Sequence, residues 1–298
     1  MTKKRIILVS LICLCLVLFA GILVGELKPL PVIASIASLF LGASLSHTKN
    51  ALQDCTDYFP WQVSLRKLLR GKVIHKNDPI RISFAYLYRI KVDDKYFLVK
   101  NARGTGKFQP VGGAFKMQPT EKSYISSVFH VTDDNKIKYD QTSKNDYRLF
   151  VPVKYLKKFI SRFDQAKDRE QISNLTREFS EEVISNGILK FNHIEYRYCG
   201  RHFTEISYSR VFNCYELLLA DIVELKLTAE QESQLRALMS IESDKYYFAT
   251  ADEIKSCGVI GGTNKLSEFI ADHATKILQE NELNLIPSNS PNTISIDL

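Results

Sequence analysis

Two long uncharged runs lie near the start of the chain. Residues 6–25 are mostly Leu, Ile, Val and Phe, and about 20 such residues in a helix span the hydrocarbon core of a bilayer. Residues 29–46 form a lighter run whose Ala, Ser and Gly residues permit close packing between membrane helices. A short polar turn containing Glu26 and Lys28 separates the runs. The pattern predicts a transmembrane helical hairpin over residues 1–46.

Residues 47–79 are predicted to be an amphipathic connector. Within it, residues 61–70 place Trp and Leu on one helical face and Arg and Lys on the other. Such a helix either lies on anionic lipid or packs on the following domain, and the sequence leaves both possibilities open. An Asn-Asp-Pro turn signal at 77–79 then marks a domain boundary.

From residue 80 onward, apolar and polar residues alternate along the chain, as they do in β-strands. Residues 80–92 and 95–101 are rich in β-branched and aromatic residues, and Asp93-Asp94 between them is typical of a hairpin. Strands mixed with helices predict an α/β or α+β domain over residues 80–283, followed by a flexible tail at 284–298. Further predicted strands are 147–153, 194–200, 205–219 and 246–250, and predicted helices are 155–163, 165–186 and 266–279.

Charge is distributed unevenly along the chain. The net charge is +7, but residues 1–50 carry five basic residues against one acidic residue, leaving 35 basic and 32 acidic residues elsewhere. Proteins that bind bulk DNA or RNA contact many phosphates through basic residues, and the near-neutral chain after residue 50 does not have the charge for this. Basic residues at 3–5 and at Lys49 flank the apolar runs. The positive-inside rule therefore predicts that both termini are cytoplasmic.

A cleaved signal peptide is the alternative interpretation of the first apolar run. No convincing cleavage site follows it, and a second apolar run comes directly after, so the hairpin is preferred. The six cysteines show no CxxC spacing. They indicate neither a zinc site nor a secreted disulfide framework, and they suit a reducing cytoplasm. His130, His193 and His202 also lack metal-ligand spacing and are interpreted as structural.

The most specific chemistry lies in the sequence Arg-Glu-Phe-Ser-Glu-Glu-Val at 177–183. On a helix, Glu178, Glu181 and Glu182 share one face, where like charges repel unless a cation lies between them. A hard divalent ion such as Mg²⁺ prefers these oxygen ligands, and Arg177 is placed to hold one carboxylate. A solvated acidic helix face is the alternative.

This segment and the upstream Gln-Pro-Val-Gly-Gly at 109–113 together resemble the Nudix hydrolase signature. The resemblance implies an α/β/α sandwich with Mg²⁺ bound by Glu178, Glu181 and Glu182. It also implies that Arg177 orients the catalytic carboxylate, so that Glu178 and Arg177 are the catalytic candidates. The implied activity is hydrolysis of a nucleoside diphosphate linked to another moiety.

The chain departs from this signature at several positions. Gly113 precedes Arg177 by 64 residues, which indicates a large insertion within the motif. The glutamate expected before the arginine falls on Arg169, with Glu170 beside it, and the glycine expected after the glutamates is Ile184. Metal-dependent turnover tolerates misplacement poorly, so these departures favour binding over hydrolysis.

Two membrane spans followed by a divergent Nudix domain are similar to the membrane-anchored Nudix effectors of bacterial CBASS antiphage systems, the CD-NTase-associated family. The similarity implies a multi-pass protein of the bacterial inner membrane whose Nudix-like domain binds a cyclic oligonucleotide made by a partner CD-NTase. Homo-oligomerisation, disruption of the lipid bilayer and death of the infected cell would follow. The alternatives are a membrane-tethered, Mg²⁺-dependent Nudix phosphohydrolase and an anchored module that binds a protein partner.

A cyclic oligonucleotide requires a few cations, aromatic faces, and glycines whose N–H groups reach a phosphate. Arg103, in a glycine-rich loop, is the strongest candidate, and one of Tyr86 and Tyr88 is expected in the core. The predicted ligand-binding residues are Tyr86, Arg89, Arg103, Gly104, Gly106, Lys107, Phe108, Gly112 and Gly113.

Overall fold

A computed structural model of the protein describes residues 3–27, 31–56, 59–101, 105–136, 144–259, 269–286 and 293–298. The backbone divides into two units, Met1–Gly71 and Lys72–Leu298. The division falls inside the predicted connector at 47–79.

The first unit is helical. Its helices are α1 (Lys3–Leu27), α2 (Pro31–Thr56) and α3 (Pro60–Arg70). A methyl group added at Gly25 would lie 3.0 Å from the backbone nitrogen of Ala34, and the Cys15 thiol lies 3.3 Å from the Thr48 hydroxyl. These contacts join the end of α1 to the start of α2 and the middle of α1 to the later part of α2. The two helices therefore pack antiparallel, with small residues where they approach closely.

Both long helices are apolar. The segments Arg5–Leu27 and Pro31–Leu52 have the length and composition needed to cross a membrane. The prediction of two long apolar N-terminal helices is therefore confirmed, while their insertion into a bilayer stays a prediction. Helix α2 continues past residue 46 into the predicted connector, and α3 matches the helical pattern at 61–70.

The second unit is built on two β-sheets. Within the described residues its strands are, in chain order, β1 (Pro79–Arg89), β2 (Lys91–Val92), β3 (Lys95–Lys100), β4 (Phe108–Gln109), β5 (Gly112–Ala114), β6 (Thr132–Asp133), β7 (Arg148–Pro152), β8 (His193–Phe203), β9 (Ser207–Ser209), β10 (Cys214–Lys226), β11 (Tyr246–Thr250) and β12 (Ile294–Asp297).

The larger sheet has the order β12-β8-β10-β1-β7-β6, with β5 also beside β1 and β9 also beside β10. Strands β1 and β10 run parallel and the other neighbours run antiparallel, so the sheet is mixed. The smaller sheet has the order β11-β3-β2, with β4 beside β3. Asp93 and Asp94, both with positive φ, connect β2 to β3 and confirm the predicted hairpin.

Helical segments lie on both faces of the larger sheet. They are α4 (Pro119–Phe129), α5 (Leu156–Gln165), α6 (Arg177–Phe179), which continues as a π-helical turn (Ser180–Ile184), α7 (Ala229–Met239), α8 (Ala251–Lys255), and the 3₁₀ helices Val153–Tyr155, Ile172–Asn174, Asp272–Ile277 and Gln279–Asn284. Residues 177–184 are called the motif helix below, and residues 272–277 the 272–277 helix.

The alternation of side chains along β1 divides the core into two layers. On one face, the Phe84 ring packs on Phe163 of α5, with ring centroids 4.8 Å apart. On the other face, Leu87 joins a buried cluster that includes Ala274 and Ile277 of the 272–277 helix. This arrangement gives a mixed sheet between helical layers, in agreement with the predicted α/β class.

The predicted helix 165–186 is wrong in its first half. Residues 169–170 instead lie beside residues 116–117, with the Glu170 N–H donating to the Lys116 carbonyl oxygen. The Arg169 guanidinium is buried against the Phe163 ring, 4.0 Å from its centroid, and this contact holds the segment extended. The motif helix therefore begins only at Arg177.

The C-terminal predictions also need correction. Of the predicted helix 266–279, residues 272–277 form a 3₁₀ helix, residue 279 begins a second one, and residues 266–268 lie outside the described residues. The tail at 284–298 was predicted to be flexible, but residues 294–297 form β12 along β8. The alternating Ile294 and Ile296 suit a strand, and β8 offers an edge that such a strand pairs with.

Candidate functional site

The two halves of the motif found in the sequence meet in the fold. A methyl group at Gly113 of β5 would lie 1.9 Å from a carboxylate oxygen of Glu178, so only glycine leaves space for that side chain. The Gly112 N–H donates to the Glu182 carboxylate at 2.9 Å. The residues between the two halves form α4, β6, β7 and α5, so a long stretch of chain separates them without preventing their contact.

Gly112 itself is required by the backbone. Its φ is +144°, a conformation that side chains rarely adopt, and a methyl group there would lie 2.2 Å from the carbonyl oxygen of Tyr86. This close approach of β5 to β1 brings the Gly112 N–H under the motif helix.

Arg177 organises the acidic residues around it. Its Nε lies 2.7 Å from Glu170 Oε1, one terminal nitrogen lies 2.5 Å from Glu178 Oε1, and the other donates to the Ala114 carbonyl oxygen at 2.9 Å. Glu181 lies farther away, with 3.6 Å between Arg177 Nη1 and its nearer oxygen. We call Glu170, Glu178, Glu181 and Glu182 the acidic site.

Glu170 is the residue of the acidic site that the motif spacing in the sequence did not predict. It lies one position from the glutamate expected in the signature, and the extended segment at 169–170 brings it to Arg177. Its second oxygen accepts the Lys116 N–H at 2.7 Å. The only sequence signal was its position beside Arg169, so the contact could not be inferred without the fold.

Burial dominates the electrostatics of the acidic site. Desolvation raises the pKa of Glu182 to about 8, although the Gly112 N–H and Gln109 oppose this shift. Burial also raises the pKa of Glu178, against the opposing charge of Arg177. Burial disfavours the charged form of Arg177, but its hydrogen bond to Glu170 and the nearby carboxylates outweigh this and raise its pKa.

The motif helix directs its glutamates to different places. In the π-helical turn Ser180–Ile184, the Ser185 N–H donates to the Ser180 carbonyl oxygen, and such turns are frequent at functional sites. Glu182 points inward to Gly112, whereas the Glu181 side chain is 60% exposed. Among the residues that the structure describes, no group of three or more His, Cys, Asp or Glu side chains converges to hold a metal ion. Ligation of Mg²⁺ by Glu178, Glu181 and Glu182 therefore stays a prediction.

The predicted ligand-binding residues separate into groups. Gly112, Gly113 and Tyr86 lie at the acidic site, where the Tyr86 hydroxyl is 3.4 Å from the Glu178 backbone nitrogen. Tyr86 and Tyr88 are both 0% exposed, so both belong to the core, where one of them was expected. Gly106 and Lys107 are exposed in the segment before β4. Arg103 and Gly104 lie outside the described residues.

Two predicted ligand residues are instead core residues. Arg89 is 0% exposed, pairs with Glu282 at 2.6 Å and donates to the Ile277 carbonyl oxygen at 2.6 Å. Phe108 is buried in the apolar cluster against the Tyr247 ring. The prediction that these two side chains face a ligand at the sheet rim is therefore wrong in this fold.

The family model of the SMODS-associated NUDIX domain matches residues 79–278. No curated protein sequence matches the chain significantly. Among solved structures, a NUDIX hydrolase from Nitrosomonas europaea is similar at 11% identity, covering 68% of this chain and 90% of its own, with a TM-score of 0.29. A UDP-X diphosphatase is similar at 12% identity, covering 95% and 96%, with a TM-score of 0.26. The match over residues 79–278 begins with β1 and ends just after the 272–277 helix.

Proposed function

The chain belongs to the SMODS-associated NUDIX domain family, and from this premise we propose that it is the membrane effector of a bacterial CBASS antiphage system. Its Nudix-like domain binds a cyclic oligonucleotide made by a partner CD-NTase. Binding drives homo-oligomerisation through the N-terminal hairpin, the inner membrane is disrupted, and the infected cell dies. The observation that carries the proposal is the presence of this family domain and two candidate membrane-spanning helices in one chain.

The contacts of the acidic site support binding over turnover. The Glu178 carboxylate is held by Arg177, and the Glu182 carboxylate is held by the Gly112 N–H and, at 3.4 Å, by the Gln109 side chain. These groups are committed to contacts that tie β4 and β5 to the motif helix. In this role the signature residues stabilise the fold that presents a ligand site.

The helical pair supports a role beyond tethering. One span is enough to anchor a domain, whereas α1 and α2 form an antiparallel pair with small residues at their contact. In the proposed topology both termini and the Nudix-like domain are cytoplasmic. Small residues elsewhere on α2, such as Gly42, which has no heavy atom within 4 Å of an added methyl group, leave room for a second hairpin.

The proposal is tested with the full-length protein in dye-loaded liposomes. A panel of cyclic dinucleotides and trinucleotides is added, and we expect one of them to release the dye. A matched protein carries an unrelated single-span anchor in place of residues 6–46 and is expected to bind the nucleotide without releasing dye. Liposomes that stay sealed with every nucleotide, although the protein is inserted and folded, contradict the proposal.

A membrane-tethered phosphohydrolase is the second candidate, and Glu178 is the reason to retain it. Its carboxyl group is buried beside Gly113 and has a raised pKa, as a general base requires. Incubating the activating nucleotide with the protein and Mg²⁺ separates the two candidates. Recovery of intact nucleotide supports the effector, whereas conversion to linear products that is lost in Glu178→Gln supports the hydrolase.

A further inference from the structure

The larger sheet is incompletely covered on the face opposite the motif helix. Ser83 and Ala85 of β1 and Leu218 of β10 are partly exposed, although both strands lie in the middle of the sheet. Side chains alternate along a strand, so these three face the same side as the buried Leu87 and Ala220. The 272–277 helix covers Leu87 and Ala220 but leaves the other three accessible. Small side chains on an open central sheet form a floor on which a ligand can lie.

The far side of this floor is bounded by an aromatic ring. Phe212, in the turn after β9, stacks on the Arg81 guanidinium at 3.9 Å. Arg81 lies two residues before Ser83 and four before Ala85 along β1, so its side chain is on the same face of the sheet. We call the region between Phe212 and the 272–277 helix the sheet-face cleft.

His202 presents an unsatisfied nitrogen in this region. It pairs with Ala220 across β8 and β10, so its ring lies on the same face as the floor. Its Nε2 is buried and has no hydrogen-bond partner among the described residues. Burying a polar atom without a partner is costly, and native proteins retain such atoms rarely.

Lys276 brings a half-buried cation to the same place. It lies on the 272–277 helix, its side chain is half-buried, and its ammonium group makes no ion pair or hydrogen bond within the described part of the chain. Burial lowers its pKa, and Asp272 and Glu216 only partly oppose this shift. The carboxylate of Glu216 is already paired with Arg81 at 2.9 Å. His202 pairs with Ala220, and Ala220 packs against Ala274 and Ile277, so the His202 ring lies beside the helix that carries Lys276. Burial and then the charge of Lys276 lower the pKa of His202, and a hydrogen bond to the Lys276 backbone opposes this shift.

We infer that the sheet-face cleft binds a phosphodiester group of the ligand, with Lys276 and His202 as its polar contacts and the floor of Ser83, Ala85 and Leu218 beneath a base. One tetrahedral anion satisfies both the unpaired ammonium group and the orphaned ring nitrogen, and hydrogen bonds to charged groups are the stronger kind. This inference rests on the proposed function, since it locates the site for the cyclic oligonucleotide.

The opposite face of the sheet is a poorer site for such a ligand. The acidic site there holds the carboxylates of Glu170, Glu178 and Glu181 around Arg177, and a polyanion would meet like charge. Lys107 directly precedes Phe108, whose N–H donates to the Phe269 carbonyl oxygen and whose carbonyl oxygen accepts the Ala271 N–H, just before the 272–277 helix. Lys107 is therefore placed to reach a second phosphate of a cyclic ligand.

The test uses the full-length protein in phospholipid nanodiscs, titrated calorimetrically with a panel of cyclic dinucleotides and trinucleotides. Lys276→Gln is expected to weaken binding by about 10-fold to 100-fold, the range for loss of a hydrogen bond to a charged group. Ala85→Leu fills the floor and is expected to weaken binding similarly. Lys190→Gln, at an exposed lysine between the motif helix and β8, is the matched control and is expected to keep the wild-type affinity.

A second measurement does not depend on any variant. Bound nucleotide should protect Lys276 of the wild-type protein from reductive methylation, read by mass spectrometry, and leave Lys190 reactive. Wild-type affinity in both Lys276→Gln and Ala85→Leu, or no protection of Lys276 at saturation, overturns the assignment of the cleft while the proposed function stands. Absence of binding by the wild-type protein to every nucleotide overturns the proposed function and this inference together.

Discussion

Replacing Glu182 with Gln tests how burial controls the acidic site. Desolvation raises the pKa of this carboxyl group from 4.5 to about 8, with partial opposition from the Gly112 N–H. A carboxyl group whose pKa is higher in the folded chain stabilises the fold fully below its unfolded pKa. That contribution is lost as the pH rises through the folded pKa. Glu182→Gln keeps the shape of the protonated carboxyl group but cannot ionise, so it lacks this pH dependence.

The size of the effect follows from the two pKa values. Relative to acidic solution, linkage predicts that ionisation of Glu182 lowers the free energy of unfolding by about 1 kcal/mol at pH 5, about 3 kcal/mol at pH 7 and about 5 kcal/mol at pH 9. Between pH 5 and pH 9, wild-type protein should therefore lose about 4 kcal/mol more stability than Glu182→Gln. A difference of this size exceeds the effect of most surface substitutions.

The assay is denaturant unfolding of the full-length protein in detergent micelles, followed by circular dichroism at several pH values. Glu230→Gln, at an exposed carboxylate in the first turn of α7, is the matched control and should follow the wild type. The reasoning is refuted if the free energy of unfolding of wild type and of Glu182→Gln changes in parallel with pH. Parallel profiles would show that the Glu182 carboxyl group has the same pKa in the folded and unfolded protein.

The same assay examines Mg²⁺ binding. A cation held by Glu178, Glu181 and Glu182 favours their ionised forms and lowers the pKa of Glu182. Millimolar Mg²⁺ should then flatten the pH profile of the wild type and leave Glu182→Gln unchanged. An unaltered wild-type profile means that the three carboxylates do not ligate the ion in the resting protein.

Two further substitutions test the close approaches at glycine. Gly112→Ala should lower the free energy of unfolding by more than the roughly 1–3 kcal/mol of backbone strain, because its methyl group also meets a carbonyl oxygen at 2.2 Å. Thermal unfolding measures this loss. The control is Gly106→Ala, which has a φ of +71° and so carries backbone strain, but whose added methyl group meets nothing within 4 Å. Gly25→Leu should separate α1 from α2, because even a methyl group added at Gly25 would lie 3.0 Å from Ala34. We expect this variant to show reduced nucleotide-triggered dye release. Dye release that exceeds the wild type would contradict a packed hairpin.

Local patterns in the sequence were sufficient to predict many elements. The alternation in β1 and β3, the Asp93-Asp94 turn and the two long apolar helices are all encoded by neighbouring residues. The meeting of Gly113 with Glu178 was implied only by the resemblance to the Nudix signature. Nothing in the residues between them indicates that they return to the same place.

Buried ion pairs account for much of what could not be predicted. Arg89 ends an alternating strand, and a charged residue there resembles an exposed one. Its partner Glu282 lies far along the chain, in the 3₁₀ helix of residues 279–284, so only the tertiary fold reveals that the pair is buried. The same separation hides the proximity of His202 to Lys276, which no motif or spacing connects.

Strand β1 allows the two candidate functions to be separated experimentally. It directs Tyr86 toward Glu178 on one face of the sheet and Ala85 toward the sheet-face cleft on the other, so the sheet itself divides the two sites. Glu178→Gln therefore leaves the cleft intact, and Lys276→Gln leaves the acidic site intact. If the protein is an effector, only the cleft variant should lose nucleotide-triggered dye release. If it is a hydrolase, the acidic-site variant must lose turnover while still binding the nucleotide, because binding and chemistry then use opposite faces.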